Sequence, residues 1–181
     1  MSTNEPTSAD DPPLTLLIVA LVIGAIAVLS VLVISAMRHV PPPAPVAIGA
    51  VPAPQANSPE CRALLATVPD RLGDFERAVE ADPVPPGAAA WRGTGDPVIL
   101  RCGLDRPAEF VVGSPVQMVD DVQWFRLNDA GLARSTWISV DRPVYVALTL
   151  PDGSGSAPIQ TLSEIIARTM PAIPSRPAPA R

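Results

Sequence analysis

The chain has 181 residues, a net charge of −5 and a mean hydropathy of +0.28. Its thirteen basic residues are all Arg and are scattered among eighteen acids, so no basic cluster offers a nucleic-acid surface. The one histidine, His39, lies outside any segment able to form a domain, which excludes Ser-His-Asp and Cys-His nucleophiles and a His-based zinc site.

Residues 1–13 are polar and acidic, carry Pro6, Pro12 and Pro13, and show no apolar periodicity; they read as a disordered cytoplasmic tail. Residues 14–37 contain no charged side chain. At about 1.5 Å per residue a helix there would be about 36 Å long, against a hydrocarbon core of about 30 Å, so it can span a bilayer with modest tilt. Within it, Ala20 and Gly24 form a small-xxx-small pair that would let a second helix pack closely. The next stretch, 38–58, is a Pro/Ala-rich linker of polyproline II type, suited to hold a domain away from the membrane.

Flanking charges and cysteines disagree about orientation. Arg38 and His39 follow the apolar run and nothing basic precedes it, which taken alone places the C-terminal side in the cytoplasm. One Arg is a weak bias, however, and Cys61 and Cys102, an even and minimal pair, read as one disulfide formed after export. Reactive or metal-binding thiols are the alternative, though neither cysteine sits in Cys-x-x-Cys. The reading taken is a single-pass cell-membrane protein, N-terminus cytoplasmic and C-terminal domain extracytoplasmic. Signal cleavage fits poorly: the apolar run is long, the n-region is acidic, and Ser35-Ala36-Met37 is a poor cleavage site.

The extracytoplasmic domain is expected over 59–172. Ser58 caps a helix that Pro59 and Glu60 suit at its first turn, with Cys61, Leu64, Leu65 and Val68 on one face and Pro69 ending it. Leu72, Phe75 and Val79 predict a further helical turn or two. After the breaker at 82–87 the period changes to two. Val98, Leu100 and Cys102 share a strand face, Phe110 to Val112 predicts a short strand, and 117–128 contains an aromatic strand. Asn128-Asp129-Ala130-Gly131 is a hairpin turn into a strand over 133–140. Asp141-Arg142-Pro143 turns the chain, and Val144, Val146, Leu148 and Leu150 line one face of the last strand. A capping box, Thr161-x-x-Glu164, predicts a final helix with Leu162, Ile165, Ile166 and Met170 as its apolar stripe. Residues 173–181 read as a disordered tail. The fold class is α+β: an antiparallel sheet with helices packed on one face.

Several segments together resemble the actinobacterial domain-of-unknown-function family 3515. They are Cys61-Arg-Ala-Leu, Ala90-Trp91, the stretch VILRCGLDRP at 98–107, Val122-Gln-Trp-Phe and Arg142-Pro-Val-Tyr145-Val-Ala-Leu. The likeness covers about 60–171. It implies a membrane-anchored or exported envelope protein of a high-GC Gram-positive bacterium and implies no activity.

Candidate chemistry is sparse. Asp96, Asp105, Asp120 and Asp121 are the carboxylates available for glycan hydrolysis or transfer, which needs two of them facing across a cleft. Trp124 and Phe125 are neighbours and point to opposite faces of a strand, so one of them must leave the main core or be covered by something else. Trp124, Phe125 and Trp137, with Arg101 and Arg106 flanking Cys102, form the candidate binding surface. No metal or cofactor is expected. The leading reading is a non-enzymatic binding or accessory module for a protein or cell-wall partner; a carboxylate-dependent enzyme and a structural subunit of a membrane complex are the alternatives.

Overall fold

The computed structural model describes residues 14–38, 43–128 and 131–180. The expected tail at 1–13, His39 and the middle of the turn at 128–131 lie outside the described residues. The chain divides into two units, 1–43 and 44–181.

In the first unit, α1 (Leu14–Arg38) is one uninterrupted helix. Its stretch Leu14–Met37 has the length and composition of a membrane-crossing segment or a signal sequence. Leu, Ile and Val lie on every side of it, and no charged residue interrupts it before Arg38.

The second unit contains α2 (Pro59–Thr67), eight strands and α3 (Ala157–Thr169). The strands are β1 (Arg71–Leu72), β2 (Phe75–Arg77), β3 (Ala88–Arg92), β4 (Val98–Leu104), β5 (Val116–Val119), β6 (Val122–Asn128), β7 (Arg134–Ser139) and β8 (Tyr145–Pro151). They form a single sheet in the order β1-β2-β3-β4-β8-β7-β6-β5, with every pairing antiparallel. The α+β expectation holds.

α2 starts as the sequence dictates. Ser58 Oγ accepts from the Cys61 N–H at 3.2 Å, and Pro59 occupies the first turn, where its missing N–H costs nothing. α2 and α3 pack on one face of the sheet. Cys61 and Leu64 from α2, and Ile159, Leu162, Ile165 and Ile166 from α3, meet Trp91, Val98, Leu100, Cys102, Trp124, Val146 and Leu148. Cys61 and Cys102 are bonded, both fully buried, with Cα atoms 5.6 Å apart. The bond ties α2 to the centre of the sheet.

Leu72 and Phe75 do not lie on a helix. They face each other across a two-residue hairpin whose Gly73 has a φ of 59°, a left-handed turn conformation that glycine adopts freely. β3 carries the weak strand formers Ala88, Ala89 and Ala90 and gave no period-two signal. Phe110 to Val112 forms no strand; Val111 makes an isolated bridge to Ala178. The aromatic stretch is two strands, because Asp120 takes a φ of 49° and turns β5 back onto β6. α3 begins at Ala157 with Pro158 in its first turn, so Thr161 and Glu164 lie inside the helix and form no capping box.

The second sheet face is also covered, in two patches. Val46 and Ile48 pack on Ala90, and Phe110 and Val140 pack on Phe125. Segments read as linker and tail therefore belong to the folded unit. Val46 donates to Val79 O at 2.8 Å, Gln55 donates to Gly103 O at 3.0 Å, and Ala178 donates to Phe110 O at 2.9 Å. Gly103 has a φ of 87°, and a Cβ there would collide with the backbone of Gln55 and Ala56. Only glycine lets that segment approach.

Candidate functional site

The helix-bearing face is not fully roofed. Beyond α3, between its N-terminal half and strands β5 to β7, lies a cleft of about 490 Å³. Alternation on the strands sets its floor. Arg126 and Trp137 are directly opposite on β6 and β7, Gln117 lies opposite Trp124, and Ser135 lies opposite Leu150. All four floor residues, Gln117, Arg126, Ser135 and Trp137, point to the α3 side. The wall is the Asp152–Ser156 loop and the first turns of α3, through Ile159 and Gln160. The glycines at 153 and 155 have φ of 78° and 71°, which folds this loop tightly over the end of β8.

At the centre is a stacked pair. The Arg126 guanidinium carbon sits 5.2 Å from the centroid of the Trp137 ring, and the Trp137 Nε1–H donates to Ser135 Oγ at 3.2 Å. The ring is half-buried and fixed at its edge, while Arg126 is exposed to the cleft. Among the described residues, no carboxylate or carbonyl accepts from this guanidinium. Stacking leaves its in-plane N–H donors free, an arrangement suited to a carboxylate or phosphate. Asp120 and Asp152 also border the cleft.

The other candidate residues fall elsewhere. Trp124 and Phe125 are corrections to the expected surface: their side chains are 0% and 6% exposed. Trp124 Nε1 donates to Ser163 Oγ at 2.9 Å under α3. Phe125 stacks on Phe110 with ring centroids 5.3 Å apart on the opposite face. Arg101 lies on that opposite face too, donating to Gly49 O at 3.3 Å, and its buried Nε has no partner among the described residues. Burial, and then the nearby Arg134 charge, hold its pKa below the ordinary arginine value. Arg106 is exposed on the loop after β4. Arg101 and Arg106 border none of the cavities described here; of the expected surface, only Trp137 is in the cleft.

Of Asp96, Asp105, Asp120 and Asp121, Asp120 alone borders the cleft, while Asp96 borders an adjoining recess of about 270 Å³ with Phe75 and Thr94. In α1, Ala20 and Gly24 lie along a shallow apolar groove with Leu17, Leu21 and Val28.

Sequence reasoning missed the pair that locks the β7–β8 turn. Arg142 Nη1 bonds Asp141 Oδ2 at 2.9 Å, with both side chains buried, and Arg142 Nη2 donates to Asp121 O at 2.6 Å. Ile173 N donates to Asp141 O at 2.9 Å, so this turn also holds the segment after α3. The motif Arg142-Pro-Val-Tyr145 was visible; its burial was not.

Residues 18–175 match the family described as protein of unknown function (DUF3515). The chain belongs to that family. The DUF3515 match takes in most of α1 as well as the whole sheet and both domain helices, so the apolar helix and the disulfide-bonded domain belong to one family pattern. No curated protein and no solved structure matches the chain.

Proposed function

We propose that this DUF3515 protein is a single-pass protein of the cell membrane whose C-terminal domain lies on the extracytoplasmic side and acts as a non-enzymatic binding module. The cleft over Trp137 is its ligand site. The observation that carries this reading is the Arg126 guanidinium, held by stacking and without a carboxylate partner among the described residues, in a cavity large enough for a small molecule or a side-chain cluster. The charge-free stretch Leu14–Met37 of α1 supplies the anchor, and the family match includes it from Ile18 onward. The disulfide fits an oxidising compartment. Of the four candidate aspartates only Asp120 borders this cleft.

A thermal-shift experiment on the full chain in nanodiscs tests the site. The probes are inorganic phosphate, glycerol phosphate and N-acetylglutamate. Binding raises the melting temperature by mass action, and Arg126→Gln removes the rise. If no probe shifts the wild-type chain, or if R126Q responds equally, the cleft is not an anion-binding site.

A further inference from the structure

This inference rests on the cleft reading and names the ligand class. β5 ends the sheet, so one of its backbone edges has no strand partner. The two ends of the sheet differ. β1 is two residues long and bears an Arg71–Glu76 ion pair at 3.1 Å. β5 is four residues long, Val116-Gln117-Met118-Val119, with no charge; its first three residues are exposed. Val116 and Met118 are 46% and 58% exposed, and their register opposite Phe125 and Gln123 puts them on the face away from the helices, although Met118 also borders the cleft at the strand edge. Charged side chains, bulges and prolines within the strand are the usual guards of such an edge, and β5 has none.

The same strand borders the cleft. Gln117 and Val119 point into it, and Arg126 lies one strand further in, diagonal to Gln117. A chain added beside β5 would therefore present alternate side chains to two different surfaces. One set would lie on Val116 and Met118; the other would enter the cleft towards Arg126. We infer that the β5 edge and the Trp137 cleft together receive an extended peptide as a ninth strand, apolar at alternate positions and carrying one carboxylate that pairs with Arg126. Charge selects the occupant: the strand edge is neutral, Arg126 is the basic residue lining the cleft and has no carboxylate partner among the described residues, and Asp120 and Asp152 at the cleft border select against a peptide acidic at every inward position.

The probe is a dye-labelled acetyl-Val-Thr-Val-Glu-Val-Thr-Val-amide, followed by fluorescence anisotropy against the full chain in nanodiscs. Saturable binding is expected. Replacing Glu by Lys, or N-methylating the backbone amides that face β5, should each weaken binding by about tenfold or more. N-methylation leaves the protein untouched, so its effect cannot arise from misfolding. Arg126→Gln should abolish the preference for the Glu peptide over the Lys peptide, and Met118→Lys, on an exposed side chain, should weaken binding of the Glu peptide. An N-methylated peptide that binds as well as its parent overturns strand addition. Melting shifts with N-acetylglutamate that depend on Arg126, without peptide binding, overturn the peptide inference and leave the cleft standing; no response to either probe overturns both.

Discussion

Reducing the Cys61–Cys102 bond should cost about 4 kcal/mol. The bond joins residues 41 apart in sequence, and in the chain-entropy account opening a loop of that size returns about 13 cal/mol/K to the unfolded state. Both cysteines are fully buried among Leu64, Leu100 and Val146, so the bond also ties α2 to β4 in the middle of the core. For a folded unit spanning 44–181, the loss corresponds to a fall in Tm of roughly 10–15 °C. The assay is urea unfolding of the full chain in detergent, followed by tryptophan emission. The wild-type chain is refolded with and without reductant, and C61A/C102A is the control on which reductant should have no effect. A change below about 1 kcal/mol on reduction would refute the entropy argument. Free thiols titrated in the native chain without reductant would refute the bond itself.

Arg142→Met should destabilise the domain by about 3–5 kcal/mol, because it leaves the Asp141 carboxylate buried without its partner; adding Asp141→Asn should recover much of the loss in the same urea titration. Gly103→Ala should cost about 1–3 kcal/mol through backbone strain alone, and limited proteolysis should then cut the 44–58 segment, which the new Cβ displaces. Trp124→Phe removes the N–H donor to Ser163 while keeping an aromatic ring in place, and a loss of about 1–2 kcal/mol is expected; a neutral outcome would mean that the contact contributes nothing.

Legibility followed the local signals. Ser58-Pro59-Glu60 announced α2, and alternation at Val144, Val146, Leu148 and Leu150 announced β8, because caps and period-two patterns are properties of a few adjacent residues. Leu72 and Phe75 misled because a spacing of three also fits a short hairpin once Gly73 turns the chain. The linker and the tail misled for a different reason. Val46, Ile48 and Ala178 are isolated in proline-rich sequence, and only the finished sheet shows what they cover. Trp124 and Phe125 were correctly assigned to opposite faces, but the cover over the second face, Phe110, comes from a loop whose path no periodicity marks. Trp137 was the one aromatic of the expected surface that reached a cavity. Its partner Arg126 was not singled out, although two neighbouring strands with a turn between them place Arg126 opposite Trp137, a cross-strand pair that the hairpin register could have supplied.

The central claim is that an apolar helix holds a disulfide-bonded binding domain on the outer side of the cell membrane. Leu132 is 51% exposed near the start of β7 and offers a reporter position. In intact cells producing the full chain with Leu132→Cys, a membrane-impermeant maleimide should label the protein, and the labelled protein should sediment with washed membranes. Labelling that appears only after the cells are permeabilised would contradict the account.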